Sequence, residues 1–369
     1  MSKLLQERLA LFQSKGLTRT LSAPSGEDLS SSDYLGFSID PILKERYLAR
    51  LQAMPTIGTG ASRLLRGNLP LFTETESLLS AFAGRGSSLL FSTGYAANVG
   101  LLSAVLRKGD HVFSDALNHA SIIDGITLSK ANKTIFPHRD YNALAKALEM
   151  TKSEDHVKVI VTESIFSMEG TQADLMKLVE LSKQYQALLI VDEAHAVGVY
   201  GAGLVATQHL NSDVFATVHA AGKALGAAGA WVSGDAFLIN YLAHFARSFI
   251  FSTAPIPALP LLLQESIRYY QEVGESRANA IRQRARMFRE KLSAETLGVV
   301  DSPIVPIVIG DNEKAMVVAA SLQSVGWDVK AIRPPTVPEG TARLRLTIKW
   351  NNSDEMLMRL VADLNAILN

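Results

Sequence analysis

The sequence predicts an α/β fold with a mostly parallel central sheet and a smaller α+β C-terminal domain. Three observations lead to this prediction. Short β-prone runs alternate with helical patterns between about residues 87 and 234, a long helical stretch follows at about 257–293, and further strand and helix patterns complete the chain. Apolar strands separated by amphipathic helices are typical of a parallel sheet that helices cover on both faces.

The elements of the central region follow from their patterns in chain order. The predicted strands are short and mostly apolar: SSLLFS, HVFSD, VKVIVTE, ALLIVDEAH and AWVSG. The predicted helices between them repeat apolar residues at helical spacing: GYAANVGLLSAVL, NHASIIDGITL and ADLMKLVELSKQY. Strand-helix repetition of this kind indicates one α/β domain.

The pattern also divides the chain into three regions. Residues 1–40 contain one helical pattern and one short β-prone piece, so we expect them to pack on the rest of the protein. Residues 41–285 form the predicted large domain. Residues 286–369 form the predicted small domain, with strands at IVPIVIG and ARLRLTI and helices at DNEKAMVVAASLQSVG and SDEMLMRLVADLNAIL.

Composition and charge exclude several classes of function. The 369 residues include 36 Lys and Arg, 36 Asp and Glu, and no cysteine. Balanced charge gives no general attraction to nucleic acid or to anionic lipid, and a chain without cysteine has no disulfide, thiolate-bound metal or cysteine nucleophile. The N-terminus lacks the apolar core of a signal peptide, and no stretch approaches about 18 uninterrupted apolar residues. We therefore expect a cytoplasmic protein without a membrane span.

Asp192 and His195 follow a predicted buried strand in LLIVDEAHAVGVYG. Ligands of open α/β sheets bind at the carboxyl ends of the strands, which is where Asp192 is expected. The segment therefore predicts a ligand contact at Asp192. The alternative is that Asp192 caps the next turn and that His195 is an ordinary loop histidine.

Lys223 is the one lysine in ATVHAAGKALGAAGAW, a run of small residues with no other Lys, Arg, Asp or Glu. A buried ammonium is costly unless it is paired or neutralised. A lysine among small residues can lie along a cofactor and form a Schiff base with its aldehyde, while a carboxylate keeps a pyridine nitrogen protonated. Lys223 and Asp192 together predict pyridoxal phosphate. The alternative is a surface lysine whose ammonium reaches solvent.

Two further motifs offer contacts to such a cofactor. FSTGYAAN places Thr93, Gly94 and Tyr95 at the start of a predicted helix, where backbone N–H groups and the helix dipole favour a phosphate. His119 lies near the start of another helix and could stack on an aromatic ring. A common strand-glycine-helix turn and a capping or surface histidine are the alternatives. The other histidines have no metal-ligand spacing, so we expect no metal site: His111, His138, His156, His209, His219 and His244.

Taken together, these motifs resemble the α-oxoamine synthases, fold-type-I pyridoxal phosphate enzymes that condense an amino acid with an acyl thioester and release carbon dioxide. The resemblance runs over nearly the whole chain through SSSDYLGF, GTGASRLLRGNLPLF, FSTGYAAN, NHASI, VTESIFSMEG, VDEAHAVGVYG, GKALG, FSTAPIP and AIRPPTVPEGTARLRLT. It implies an aspartate aminotransferase-like fold in which residues 41–285 bind the cofactor, and a homodimer with active sites at the interface. SRLLRGNLPLF and IRPPTVPEGTARLRLT most resemble the member that joins a pimeloyl thioester to alanine.

The resemblance also implies roles for individual residues. Lys223 would bind the cofactor covalently and act as general base, while Asp192 would pair with the pyridine nitrogen. The other implied cofactor contacts are His195 and Ser167 at the phenolic oxygen, His119 against the ring, Thr93, Gly94 and Tyr95 at the phosphate, and Ser252 and Thr253 at the phosphate of the neighbouring subunit. Arg333 would bind the substrate carboxylate, with Arg19 and Ser32 near the substrate.

Two departures from the family pattern and three rival functions remain open. Ala220 stands where the family usually has threonine or serine at the phosphate, with His219 beside it as a possible substitute, and Ser32 stands where many members have asparagine. The rivals are a family member that joins glycine to a short acyl thioester, a catalytically silent subunit of the same fold, and a nicotinamide-dependent dehydrogenase. The dehydrogenase is disfavoured because its glycine fingerprint is missing.

Overall fold

The structure is a computed structural model that describes residues 2–14, 17–18, 20–151 and 156–368. By its internal contacts the chain forms two compact units. We call Asp33–Ser167 with Gln172–Asn279 the sheet unit, and Met1–Ser32 with Met168–Thr171 and Ala280–Asn369 the C-terminal unit. The domain boundaries at residues 40 and 285 stay a prediction.

Helices alternate with strands along most of the chain. The α-helices of the described residues are α1 (Ser2–Ser14), α2 (Pro41–Gln52), α3 (Pro70–Ala83), α4 (Gly94–Val105), α5 (Ala120–Ser129), α6 (Tyr141–Met150), α7 (Leu175–Tyr185), α8 (Leu204–Thr207), α9 (Ala236–Phe245), α10 (Arg247–Ile250), α11 (Ala258–Lys291), α12 (Asn312–Ser324) and α13 (Asp354–Leu368). The strands are β1 (Glu27–Asp28), β2 (Ser87–Phe91), β3 (His111–Asp115), β4 (Asn132–Phe136), β5 (Lys158–Glu163), β6 (Leu188–Asp192), β7 (Ala216–Ala220), β8 (Ala230–Gly234), β9 (Ile304–Gly310), β10 (Trp327–Asp328), β11 (Ala331–Ile332) and β12 (Ala342–Thr347).

The sheet unit is built on a seven-stranded sheet in the order β2-β8-β7-β6-β5-β3-β4. Strand β8 runs antiparallel to both neighbours, and the other neighbouring strands are parallel. The predicted mostly parallel sheet is therefore confirmed. Strands β2, β3, β5, β6 and β7 all end at one edge of the sheet, which we call the carboxyl edge.

One face of this sheet packs against helices α4 and α5. Val161, Ile190 and Val218 come from neighbouring strands and join Leu101 and other helix residues in one buried cluster. The helices approach each other closely at Gly125, where a Cβ atom would lie 3.0 Å from the carbonyl oxygen of Asn98. This packing holds the first turn of each helix beside the carboxyl edge.

Strand β4 was not predicted from the sequence. Its residues NKTIF carry mostly exposed side chains, and it pairs only with β3 at the end of the sheet. An edge strand of this kind lacks the continuous apolar run of a central strand, so apolar content misses it.

The C-terminal unit has its own sheet and its own core. Strands β11, β12 and β9 form an antiparallel sheet, and β1 pairs with β10 in parallel. Trp327 and Phe288 are fully buried in its core, and a buried ion pair of 2.9 Å joins Arg343 Nη1 to Glu169 Oε1. None of the described helices is long and apolar enough to cross a membrane.

Candidate active site

The predicted cofactor residues of the sheet unit meet at the carboxyl edge. Asp192 is the last residue of β6, and Lys223 lies in the turn between β7 and β8. Helix α4 begins at Gly94 just after β2, and His119 precedes α5 after β3. Parallel strands bring their ends together, so residues from four separate segments border one region.

Lys223 and His195 are in direct contact. Lys223 Nζ lies 2.9 Å from His195 Nε2, and the other ring nitrogen, Nδ1, is hydrogen-bonded to the hydroxyl of Tyr34 at 2.7 Å. Lys223 is half-buried, whereas Tyr34 and His195 are buried. The amine is therefore held by a buried chain of hydrogen bonds that starts at Tyr34.

The small residues around Lys223 allow neighbouring backbone to approach. Gly226 has a φ of 58°, and its N–H donates to the carbonyl oxygen of Lys223 at 2.9 Å. A Cβ atom at Gly226 would lie 2.5 Å from the backbone nitrogen of Ser38, and one at Gly198 would lie 2.7 Å from Ala224 Cβ. Side chains at these positions would displace the turn that carries Lys223.

Asp192 belongs to a second chain of hydrogen bonds. Asn98 Nδ2 donates to Asp192 Oδ2 at 2.7 Å and to Ser121 Oγ at 2.9 Å. Ser121 Oγ is in turn 2.7 Å from His119 Nδ1, and the backbone N–H of Ala194 donates to Asp192 Oδ1 at 2.8 Å. The carboxylate and the His119 ring are thus linked through helices α4 and α5.

Burial favours the neutral form of the His119 ring. Partial burial lowers the pKa of His119 below its ordinary value, and the charge of Lys223 acts in the same direction while Asp192 opposes them. The side chain still keeps an exposed surface. A neutral ring with an exposed surface suits stacking on an aromatic group.

Helix α4 presents its N-terminus to the same region. Thr93 is the N-cap, and its hydroxyl accepts a hydrogen bond from the backbone N–H of Ala96 at 3.0 Å. A Cβ atom on Gly94 would lie 3.8 Å from Ala220 Cβ, so the end of β7 faces the first turn of the helix. The side chain of Tyr95 is directed to Asp124 on α5 with a short hydrogen bond.

His219 does not take the place of the missing hydroxyl at residue 220. Successive residues of a strand point to opposite faces. The His219 ring stacks on Trp231 with centroids 4.7 Å apart and planes 10° from parallel, and its Nε2 is 2.9 Å from Thr217 Oγ1. It is thus on the face of β7 opposite Ala220.

Glu193, which follows Asp192 directly, holds this part of the chain in place through its buried side chain. It is fully buried, and its carboxylate accepts hydrogen bonds from Ser164 Oγ at 2.8 Å and from the backbone N–H groups of Leu204 and Val205 at 2.9 and 2.7 Å. Burial raises the pKa of Glu193 to about 7. The side chain ties the end of β6 to the start of α8.

The remaining predicted residues lie in less defined surroundings. Ser167 is half-buried on the loop after β5, Ser252 Oγ donates to the carbonyl oxygen of Ser248 at 2.7 Å, and Thr253 forms an isolated bridge with Ser62. Arg333 and Ser32 belong to the C-terminal unit. In that unit Arg333 Nη2 donates to the carbonyl oxygen of Thr18 at 3.3 Å, and Arg345 Nη2 is 3.5 Å from Ser32 Oγ. Arg19 lies outside the described residues.

Sequence reasoning missed four residues that the structure places around the site. Tyr34 and Asn98 lie inside the segments SSSDYLGF and FSTGYAAN, and Ser121 and Glu193 lie inside NHASI and VDEAHAVGVYG. The one indication in the sequence that these four residues belong to the site was their position inside segments that resemble the family. Their partners are distant in the chain, so the segments alone did not reveal the contacts.

The side chains at the carboxyl edge fit pyridoxal phosphate. A lysine amine suits its aldehyde, a carboxylate held by two hydrogen bonds suits its ring nitrogen, and a helix N-terminus suits its phosphate. Among the described residues, no group of three or more His, Asp or Glu side chains could hold a metal ion.

Comparisons with known proteins identify the family to which this chain belongs. The model of the family "Aminotransferase class I and II" matches residues 25–364. An 8-amino-7-oxononanoate synthase of Geobacter metallireducens is 38% identical over 392 residues, which cover 100% of this chain and 98% of that protein.

Solved structures agree over nearly the whole chain. A serine palmitoyltransferase of Sphingomonas wittichii has a TM-score of 0.89 at 26% identity, covering 99% of this chain and 96% of that chain. The 8-amino-7-oxononanoate synthase of Francisella tularensis has a TM-score of 0.79 at 27% identity, covering 93% and 98%. A structure of SPT with PLP also has a TM-score of 0.89, at 28% identity, covering 99% and 96%.

The fold and the site define a pyridoxal phosphate-dependent transferase, and the fold-type-I architecture predicted above is confirmed. Pyridoxal phosphate is its cofactor. The chain belongs to the class I and II aminotransferase family and, within it, to the α-oxoamine synthases, which are acyltransferases.

Proposed function

We propose that this enzyme joins L-alanine to a pimeloyl thioester and releases carbon dioxide, which gives 8-amino-7-oxononanoate for biotin biosynthesis. The observation that carries this proposal is the 38% identity, along the whole chain, to a relative named for that product. The solved serine palmitoyltransferase has a higher TM-score to this chain than the solved 8-amino-7-oxononanoate synthase of Francisella tularensis. Its sequence identity of 26%, however, is lower than the 38% of the Geobacter metallireducens synthase. Because the two activities share a fold, the sequence is the better guide to the substrate.

The roles of the site residues in this reaction are part of the proposal. Pyridoxal phosphate supplies an electron sink that stabilises negative charge on the α-carbon of an amino acid. Lys223 would hold the cofactor aldehyde, and its amine, once released, would remove the α-proton of alanine and later return a proton to that carbon. Asp192 would keep the ring nitrogen protonated, since a close opposite charge favours the charged form.

The remaining residues orient the bound molecules. His119 would pack on the cofactor ring, while His195 and Ser167 would hydrogen-bond its phenolic oxygen. Thr93, with the backbone N–H groups of Gly94 and Tyr95, would bind the phosphate. Arg333 would bind the substrate carboxylate, with Arg19 and Ser32 close to the substrate.

The bond changes of the overall reaction balance. The α-carbon of alanine bonds to the carbonyl carbon of the thioester, and the carbon–sulfur bond breaks so that the thiol carrier leaves. The carboxyl group of alanine leaves as carbon dioxide. The α-carbon, which has lost one proton before the new bond forms, then gains a proton, which Lys223 would supply.

We propose a homodimer as the working form. The segments GTGASRLLRGNLPLF and FSTAPIP of the sheet unit carry exposed apolar side chains. Leu65 in the first segment is 82% exposed, and Phe251 in the second is 70% exposed. The segments are joined by the Ser62–Thr253 bridge and by a hydrogen bond of 2.8 Å from Thr59 Oγ1 to the carbonyl oxygen of Ala254. Exposed apolar patches mark interaction surfaces, and this one contains Ser252 and Thr253. In a dimer these two residues would reach the phosphate of the neighbouring subunit.

A product assay with matched substrate pairs tests the proposed substrates. Alanine with pimeloyl-CoA or pimeloyl-acyl carrier protein should give 8-amino-7-oxononanoate and carbon dioxide, identified by mass spectrometry. Glycine with acetyl-CoA or succinyl-CoA and serine with palmitoyl-CoA are the comparison pairs. Faster turnover with any comparison pair would reject alanine and pimeloyl thioester as the substrates while leaving the cofactor chemistry intact.

A further inference from the structure

Tyr34 is buried at the start of a hydrogen-bonded chain that ends at Lys223. Its hydroxyl lies 2.7 Å from His195 Nδ1, and His195 Nε2 lies 2.9 Å from Lys223 Nζ. The two rings meet edge to face, with centroids 6.2 Å apart and planes at 65°. Tyr34 and His195 are 161 residues apart in the sequence, so only the fold brings them together.

We propose that Tyr34 is a positioning residue that sets the tautomer of His195, so that Nε2 carries the ring proton and donates it toward Lys223. A neutral imidazole has one N–H donor and one acceptor nitrogen. If the Tyr34 hydroxyl donates to Nδ1, then Nδ1 is the acceptor and the proton resides on Nε2. Tyr34 acts through His195 and is not itself expected to touch the substrate.

The chemistry at Lys223 explains why this tautomer is the useful one. An amine that attacks an aldehyde must be neutral, and a neutral amine offers a lone pair that accepts a hydrogen bond. An N–H at Nε2 satisfies that lone pair. An acceptor at Nε2 would instead stabilise the charged ammonium, because it would accept one of its protons. The same N–H would suit a negatively charged oxygen of the cofactor.

The position of Tyr34 is itself fixed by the chain around it. Arg277 Nη1 donates to the carbonyl oxygen of Leu35 at 2.9 Å, and Arg277 Nη2 is paired with Asp40 Oδ2 at 2.6 Å. Arg277 thus connects the backbone of Leu35, the residue next to Tyr34, to Asp40 through a largely buried salt bridge. The backbone beside Tyr34 is therefore held by its own contacts, as a positioning residue requires.

The inference rests on the proposed roles of Lys223 and His195 and not on the choice of acyl donor. Its first test therefore uses the apoprotein without substrate. Nuclear magnetic resonance of uniformly ¹⁵N-labelled protein distinguishes a protonated from an unprotonated ring nitrogen, and the His195→Asn variant assigns the signals. The measurement is made about one unit or more above the ordinary histidine pKa of about 6.5, where an ordinary imidazole is neutral. We expect a protonated Nε2 and an unprotonated Nδ1, and the opposite tautomer would overturn the proposal.

The second test removes only the hydroxyl. In Tyr34→Phe the ring contact with His195 remains, so we expect His195 to populate both tautomers and the affinity of the apoprotein for pyridoxal phosphate to fall about 5-fold to 10-fold. The matched control is Tyr241→Phe, which removes a hydroxyl that donates to the carbonyl oxygen of Ala104 at 3.3 Å on helix α4. Both the tautomer and the affinity should stay unchanged in the control.

Each outcome of these tests supports or overturns the proposed role of Tyr34. Unchanged His195 signals in Tyr34→Phe would overturn the proposal, and so would equal changes in the Tyr241→Phe control. If Tyr34→Phe does not fold, the tautomer measured in the wild-type apoprotein decides alone. A failed substrate assay would leave the His195 signals as they are, so the two proposals can fail separately.

Discussion

The two carboxylate oxygens of Asp192 are each held by a hydrogen bond from the chain itself. Asn98 holds one oxygen and the backbone of Ala194 holds the other, at 2.7 and 2.8 Å. Lys223 is held in a comparable way by His195. Groups that are already oriented lose little freedom when a ligand binds, which favours catalysis at this site.

The role of Lys223 predicts two separable effects of Lys223→Ala. The variant should still bind pyridoxal phosphate, because the phosphate and ring contacts remain, but turnover should fall by about three orders of magnitude or more when the nucleophile and base are lost. Borohydride reduction followed by peptide mass spectrometry should label Lys223 in the wild type and nothing in the variant. The surface variant Lys183→Ala is the control. Near-normal turnover in Lys223→Ala would contradict the role.

Helix α4 shows how one element serves two purposes. Its N-cap Thr93 satisfies the backbone N–H of Ala96, and the same turn faces Ala220 at the end of β7. The core cluster anchors the helix through Leu101 and Leu102. The cap determines where the helix begins, and the core contacts hold the helix against the sheet. The N-terminus of α4 therefore stays at the carboxyl edge.

The cap predicts a distinctive effect of Thr93→Ala. Loss of the cap should lower the free energy of unfolding by about 1 kcal/mol, as measured by urea denaturation of the apoprotein. The affinity for pyridoxal phosphate, measured by titration, should fall as well because Thr93 borders the proposed phosphate site. Asp311→Ala removes the N-cap of α12, which accepts from Lys314 N at 2.9 Å, and should change stability alone. Equal affinities in the two variants would show that Thr93 does not contact the phosphate.

At the scale of the whole molecule, two buried groups make stability depend on pH in opposite directions. Burial raises the pKa of Glu193 from 4.5 to about 7, and burial lowers the pKa of His219 from 6.5 to about 3. As pH rises from 4.5 to 7, folded Glu193 keeps a proton that the unfolded chain has lost, so the free energy of unfolding falls. From pH 3 to 6.5 the unfolded chain binds a proton at His219 that the folded chain does not, so the free energy of unfolding rises.

These opposing effects predict the behaviour of Glu193→Gln. Glu193 accounts for a decrease of roughly 3 kcal/mol across its window, and the glutamine variant should lose that decrease. The free energy of unfolding of the variant should therefore rise more steeply with pH between about 5 and 6.5 than that of the wild type. Urea denaturation over a pH series measures both profiles. Parallel profiles would show that Glu193 does not titrate in this range.

The proposed dimer predicts a linked loss of assembly and cofactor. Leu65→Asp should give a monomer in sedimentation velocity, because a charge would be buried in the interface. Its affinity for pyridoxal phosphate should also fall, since Ser252 and Thr253 would no longer reach the neighbouring site. Met150→Asp changes a comparably exposed residue of helix α6, at 83% exposure, and should alter neither property. A Leu65→Asp dimer with normal affinity would contradict the proposed interface.

The local parts of the fold and site could be predicted from the sequence. Strands β5 and β6, the long helix α11 and the position of Asp192 at a strand end all follow from apolar patterns within a few residues. Strand β4 did not, because an exposed edge strand has no such pattern. Lys223 was singled out by its small neighbours, and the structure adds that Gly226 leaves room for the backbone of Ser38.

The sequence by itself determined the α/β class, most of the order of strands and helices, and the candidate residues for holding pyridoxal phosphate. Only the tertiary structure decided which of these residues touch: Tyr34 with His195 and Asn98 with Asp192 are 161 and 94 positions apart. Periodicity and capping are set by near neighbours, so they can be read along the chain. Contacts between distant residues depend on the order and register of the strands, which arise only when the core packs.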